Sequence, residues 1–479
     1  MSLKRKSAAA VLWNVLTSGF GQFFSFVVFI LLARLMSVEE FGLVGFAFLI
    51  VEFVSIFLSI GVSQNLIRRD EWTDEFASTY HSIILLVAAG IALLLAAAVA
   101  PIVYFSYSEK LAYILAALAF IPILDSLRTT HFAKMQREFH NKRLAYIRLT
   151  STTFGGCVSI ALAFFEFGAW SLVIGRFSQS IFATFATNFV SDFKAKFHIE
   201  KTHIKEIVEF GKPLLYMALL GFLSGKTVNM LVGVFFGASA FALLSMARRA
   251  PQILIELIIN PLNKSLVATL SRLEGEQRVS ALYRVLRIAC FVILPAYLGL
   301  GAVSEPFILL FVGENWIDSA FLMSIASVSA PGLIVGYFLP MLMVSSGMPR
   351  TALHIKITTL VASISAPVIA IPLGIEGMVA AMVFVTYLTL PIRFHIASRK
   401  VDISLGGALK SVYPFIISSL LMFASVKYLY SLDINMMDSH LIELTAGVLL
   451  GAVVYLTILS IFFNRHLFTV VNEIKNLRK

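Results

Sequence analysis

The chain has 479 residues, of which 59% are hydrophobic and 14% charged, with a mean hydropathy of +0.88 and a formal net charge of +11. This composition excludes an ordinary soluble globular domain and reads as an all-α polytopic membrane protein. The positive charge is accounted for by loop topology, so no nucleic-acid partner is implied.

Lys4, Arg5 and Lys6 precede an apolar run that continues to Leu35. The run is longer than a signal-peptide core and has no convincing small-residue cleavage site, so it is expected to be a retained first span. Runs long enough to cross a hydrocarbon core, which takes roughly 20 residues, fall at about 9–35, 42–62, 80–104, 110–130, 147–166, 169–190, 213–236, 240–263, 286–311, 317–346, 352–373, 377–398, 409–429 and 441–463. Fourteen transmembrane helices are expected, an even number that puts both termini on one side.

Charge chooses that side. Alternate connections carry 31 of the 38 Lys and Arg residues, and the opposite connections contain only Lys110. Both termini are therefore expected in the cytoplasm. The outward loops at 166–169, 237–240 and 374–377 are very short, and the longest, 430–440, is about a dozen residues; no soluble domain folds in that length. The inward stretch AKMQREFHNKRLAYIR is basic and amphipathic, suited to lie along anionic headgroups. Cys157 and Cys290 lie in apolar runs with no second Cys or His at ligand spacing, so both are expected to be buried thiols and no metal or cofactor is implied.

Two stretches repeat. LMSVEEFGLVGFA and FFGASAFALLSMA align at an offset of 200, and YIRLTSTTFGGCVSIALAFFEFG echoes HIKITTLVASISAPVIAIPLGIEG at an offset near 208. Together they divide the chain into a six-helix half at 1–200, a pseudo-symmetric six-helix half at 201–400, and two additional helices with a tail at 401–479. Six helices per copy keeps the copies in one orientation, related by an axis along the membrane normal, with substrate expected between them near the midplane.

The charges left inside the spans carry the functional reading. Lys226 lies 13 residues into its run, and Arg248 and Arg249 lie a dozen residues before Asn260 in the next. At about 1.5 Å per residue an antiparallel pair puts all three in one broad layer near mid-membrane. Each costs roughly 2.5 to 3.5 kcal/mol at a helix centre in lipid, so they should face protein or water, where such residues mark a substrate path. Arg176, about two turns into its helix, either joins this set or reaches outward to Glu166. Arg248 and Arg249, about 100° apart, either contact a ligand or pair with Glu52, Asp125 or Glu256. Glu52 and Glu256 are candidate ion-coupling sites or counter-ions, and Asp125 is expected to pair with nearby Arg128. Pro251 should kink the helix beside the arginines.

No nucleotide-binding loop, H-E-x-x-H, C-x-x-C or G-x-S-x-G motif is present, so an enzyme is not supported. The stretches LARLMSVEEFGLVGFA, FIPILDSLRTTHFAKMQREFHNKRL, NPLNKSLVATLSRLEG, FVGENWIDSA and SSGMPRTAL resemble the polysaccharide transporters of the multidrug/oligosaccharidyl-lipid/polysaccharide exporter superfamily, in the branch that contains the colanic-acid exporter and O-antigen flippases. The resemblance implies a flippase of the bacterial inner membrane that moves undecaprenyl-pyrophosphate-linked oligosaccharide units to the periplasmic leaflet, working beside a polysaccharide polymerase and glycosyltransferases. It also implies basic cavity residues that hold the pyrophosphate, a role that depth gives to Arg176, Lys226, Arg248 and Arg249. The rival readings are a cation-coupled drug exporter of the same superfamily, which would need an acidic cavity, and a polymerase or ligase, which would need a large outward loop.

Overall fold

The computed structural model describes residues 3–61, 64–69, 71–259, 262, 266, 270–432 and 439–476. Half of the NPLNKSLVATLSRLEG stretch and the middle of the 430–440 loop lie outside them. The described residues form helices and connecting turns, without a strand. In chain order α1 is Leu3–Leu35, α2 Val38–Ser55, α3 Asp74–Ser106, α4 Glu109–Arg137, α5 Asn141–Phe164 and α6 Ala169–Val190. The helix Lys201–Leu254, α7, is interrupted at Gly237, where φ is 86°. Then follow α8 Gly275–Ala302, α9 Ser304–Phe311, α10 Ile317–Ser327, α11 Ala330–Ser345, α12 Pro349–Ile369, α13 Gly374–Ser398, α14 Leu405–Ser431, α15 His440–Phe462 and α16 Asn464–Asn476. Several starts are capped by serine: Ser37 Oγ accepts from Glu40 N at 3.2 Å and Ser404 Oγ from Gly407 N at 3.0 Å.

Among the described residues ten helices are long and apolar enough to cross a bilayer, or eleven if the pair bent by 51° around Val328 counts as one. Three of the fourteen expected runs are not counted separately in that number. Residues Lys201–Ile259 hold two of the runs, one on each side of the break at Gly237, and the described apolar part of the first run is Gly19–Leu35. The third is α6, whose Arg176, Ser178, Gln179 and Ser180 dilute its apolar character.

The chain packs as two compact units, one of residues 1–233 with 237–242 and one of residues 234–236 with 243–479. The first has a core around Val44, Leu95, Leu115 and Leu118, joined by Phe222 and Phe241 from α7. In the second, Cys290, Ile293, Leu298, Phe338 and Phe415 are among the buried residues of a larger core. Trp316, from the FVGENW stretch, is 1% exposed, and the turn before it depends on Gly313 at φ 114°.

Cys290 is buried as expected, but Cys157 is exposed. The reason is helix phase. Gly155 and Ser159 face α6, and Cys157, two residues from each, projects from the opposite side of α5.

Three pairs of helix endings, 205 to 208 residues apart, close with the same backbone bonds. At the end of α4 Phe139 N donates to Gln136 O and His140 N to Met135 O; at the end of α11 Gly347 N donates to Val344 O and Met348 N to Met343 O. Both are Schellman closures with a left-handed residue, Phe139 at φ 59° and Gly347 at φ 75°. Likewise Tyr107 N and Ser108 N both donate to Val103 O, as Val312 N and Gly313 N do to Ile308 O, and Phe165 N to Ala161 O is matched by Ala370 N to Ala366 O.

The bend between α10 and α11, and a break inside α11 at Phe338, are both secured from α13. Pro340 has no N–H, so the Gly336 carbonyl four residues earlier lacks its helical donor. Arg393, only 8% exposed, supplies one through Nη2, and Tyr387 Oη donates to Val328 O at 2.5 Å.

The amphipathic α16 is held by Val470, fully buried, and by Glu473 one turn on. Glu473 meets both Arg287, whose Nε lies 3.3 Å from Oε2, and Arg284, whose Nε lies 3.6 Å from Oε1. Glu473→Gln is expected to lose about 1.5 to 3 kcal/mol of this attachment. Limited proteolysis should then release α16 faster than in the native chain; equal rates would mean Val470 alone retains it.

Candidate functional site

The charged residues expected inside the spans fall into two groups, one in each unit. In the first unit Asp125 is the hub. It lies on α4 just past Pro122, where the helix restarts after a break at Phe120. Arg128 lies one turn further on the same face and donates from Nη2 to Asp125 Oδ1 at 2.9 Å. Arg176 and Ser180, one turn apart on α6, both face this carboxylate: Arg176 Nη2 to Oδ2 at 3.1 Å and Ser180 Oγ to Oδ1 at 3.2 Å. Thr184 Oγ1, a further turn along, donates to Leu124 O at 2.9 Å and fixes the rotation of α6. Gln179 Nε2 donates to Thr152 Oγ1 at 3.2 Å and ties α6 to α5.

Two clefts share the Asp125–Arg176 pair as a wall. One, of about 380 Å³, lies among α4, α5 and α6 and is lined by Arg128, Arg148, Arg176, Gln179 and Ser180 besides Asp125. With three arginines against one aspartate it carries a net excess of positive charge. Among the described residues no acid lies within ion-pair distance of Arg148. The other cleft, of about 490 Å³, is lined by Glu52, Ser55, Ile121, Asp125 and Arg176. Glu52 in turn meets Lys226, with Oε2 and Nζ 3.5 Å apart. Both of these side chains are about half exposed, so the pair is loose and readily exchanged for another partner.

In the second unit Arg248 and Arg249 are both partly buried on α7. Arg248 interacts electrostatically with Tyr297 of α8, and Arg249 with Glu256. Glu256 Oε1 accepts from Gln252 Nε2 at 2.8 Å. Glu256 lies in a π-turn, Ile255–Ile259, just beyond Pro251, a local distortion of the kind that recurs at functional sites.

The structure thus brings Asp125 to Arg176 and Arg128, Glu52 to Lys226, and Arg249 near Glu256. Arg176 turns to Asp125 rather than outward to Glu166. The sequence reading passed over Arg128 and Arg148 as cation-site residues, counting both with an inward basic loop. A signal was present in the spacing: Arg148, Ser151 and Thr152 lie within about a turn of one another on α5. Chemically, guanidinium forks backed by hydroxyls and an amide suit the oxygens of phosphate or carboxylate, and the shared aspartate makes the arrangement exchangeable.

A helical, apolar chain with charged clefts sunk among its spans is a multi-pass membrane protein. Residues 31–321 match the polysaccharide biosynthesis protein family, and the chain belongs to that family. It is 24% identical over 311 residues to the succinoglycan biosynthesis transport protein ExoT of Rhizobium meliloti (strain 1021), a match covering 64% of this chain and 62% of that relative. Among solved structures it is similar to the lipid II flippase MurJ in an inward closed conformation, at a TM-score of 0.75 and 16% identity over 95% of this chain and 99% of that one. An inward-facing multidrug resistance MATE transporter of the MOP superfamily shares the fold at a TM-score of 0.63 and 15% identity, over 80% of this chain and 94% of that one. These likenesses establish the fold, and the family is the one the sequence motifs resemble.

Proposed function

We propose that the chain is a flippase that moves undecaprenyl-pyrophosphate-linked oligosaccharide units from the cytoplasmic to the periplasmic leaflet of a bacterial inner membrane, for surface polysaccharide synthesis. The observation that carries this is the cluster of arginines around one aspartate inside an apolar membrane protein of the polysaccharide biosynthesis family. A relative named as a succinoglycan transport protein and a fold shared with a lipid II flippase support the same reading. Arg176, Lys226, Arg248 and Arg249 supply positive charge for the diphosphate, while Glu52, Asp125 and Glu256 act as counter-ions or ion-coupling groups. Two six-helix halves, 1–200 and 201–400, work by alternating access, with 401–479 as an appendage. Both termini are cytoplasmic. The chain is a transporter rather than an enzyme, and its product passes to a polymerase from upstream glycosyltransferases.

A drug exporter of MATE type is the rival. It is disfavoured because an excess of arginine repels cationic drugs. The test is export in cells. Arg248→Gln and Arg249→Gln are each expected to abolish surface polysaccharide while leaving normal amounts of folded protein in the membrane. Normal polysaccharide in both variants would remove these residues from the site. Drug sensitivity in a deletion strain, with polysaccharide intact, would favour the rival.

A further inference from the structure

We infer that Arg128, Arg148 and Arg176 line a phosphate-binding groove within the first unit, and that Asp125 is the internal anion against which the ligand exchanges. Assigning a lipid-linked diphosphate as that ligand rests on the proposed transport function; the capacity of the groove for a phosphate group does not.

The donor set around Asp125 is that of an anion site. Two guanidinium groups and one hydroxyl converge on a carboxylate from two helices at 2.9 to 3.2 Å. A phosphate offers more oxygens than a carboxylate and accepts from the same forks. It also reaches donors for which the aspartate has no spare oxygen, since Arg148, Gln179, Thr129 and Ser151 line the same cleft. At about 380 Å³ the cleft is within the usual range for a small-ligand site, roughly 300 to 1,000 Å³.

Charge narrows the class. Three arginines and one aspartate leave an excess of two positive charges, which a diphosphate esterified at both ends neutralises with its two negative ones. A singly charged carboxylate or a neutral sugar does not. Height narrows it further. The helices α5 and α6 are joined by a short turn and run antiparallel, so Arg148, 16 residues before Phe164, and Arg176, 7 residues after Ala169, differ in depth by about 14 Å. Asp125 and Arg128 meet Arg176 from α4. The groove is therefore a ladder of basic groups along the membrane normal, in which a phosphate changes partners while Asp125 takes back the arginine it leaves.

The test uses the full chain purified in detergent. Inorganic pyrophosphate, undecaprenyl pyrophosphate and undecaprenol are titrated against the native protein, Asp125→Asn and Arg148→Gln, with thermal unfolding as the check on folding. Removing the competing charge is expected to tighten pyrophosphate binding in Asp125→Asn by about tenfold or more, and losing a fork to weaken it about tenfold in Arg148→Gln. Because Arg148 has no acid partner among the described residues, its variant should fold even if Asp125→Asn does not. Tighter binding of undecaprenyl pyrophosphate than of inorganic pyrophosphate, with the same Arg148 dependence, supports a lipid-borne ligand; equal affinity supports the groove with free phosphate as its ligand. Unchanged pyrophosphate affinity in Arg148→Gln, or binding of undecaprenol as strong as that of the phosphorylated lipid, overturns the proposal. Unaltered surface polysaccharide in a deletion strain would instead overturn the transport function and leave the groove standing.

Discussion

Gly175→Leu is expected to leave little folded protein. The antiparallel pair α5–α6 closes on Gly155, Ser159 and Gly175, small residues that let two backbones approach as membrane helices often do. A Cβ on Gly175 would lie 1.8 Å from Ser159 Oγ and 2.8 Å from Gly155 O. Ser159 is 5% exposed and has little room to turn away. Overpacking of this kind costs about 1 to 3 kcal/mol for a few methylenes, and a leucine here needs the whole helix to move. The neighbouring Arg176 would move with it, so the groove is lost together with the fold. Size-exclusion profiles of fluorescently tagged protein in detergent extracts give the result directly. A monodisperse native-like peak would show that the seam yields more easily than its geometry allows. Gly175→Ala combined with Ser159→Gly should recover much of the loss, because the shorter of the two contacts is removed from the other side and only the one to Gly155 O remains.

The second large effect is expected at Gly42. Here α2 approaches the segment just after the break in α7, and a Cβ would fall 2.0 Å from Ala238 O and 2.5 Å from Ala238 C. Both are backbone atoms, so no rotamer change relieves the contact. Alongside it the ring of Phe241 covers Gly45 and the ring of Phe46 covers Gly233, with the two rings 5.6 Å apart. Gly42→Ala should lower the unfolding temperature sharply. Gly90→Ala is the control, since nothing lies within 4 Å of the added carbon and alanine favours helix by about 1 kcal/mol. If the two variants melt together, α2 does not depend on that close approach.

These two glycines also show what could be read from the residues alone and what could not. Gly42 stands inside the first repeated stretch and Gly175 inside a predicted span, but neither announces a close contact, because the atom that would clash is contributed by another helix. The helices themselves were legible, since about 20 apolar residues in a row have few alternatives. Arg176 was legible as an intramembrane charge for the same reason. Its partner was not: Asp125 lies 51 residues away, and which of several acids it meets depends on how α6 is rotated against α4. Arg128 and Arg148 were obscured by the counting of loop charges, which weighs basic residues by side and ignores helix phase. The same blindness to phase hid the exposure of Cys157. Counting apolar runs finds α6 but not its phase, and its polar face is what places Arg176, Gln179 and Ser180 on the groove.

The matched helix endings set an arginine of each stretch in register with a residue of the other. Aligning Phe139 with Gly347 sets Arg128 in register with Gly336, and aligning Phe165 with Ala370 sets Arg393 in register with Asn188. The two stretches thus carry an arginine on opposite members of matching trios of helices. In one, the guanidinium shares an acid with a neighbour and is open to barter; in the other, it is spent on a carbonyl that proline left without a donor. The matching endings thus frame a place of exchange in one trio and a brace in the other.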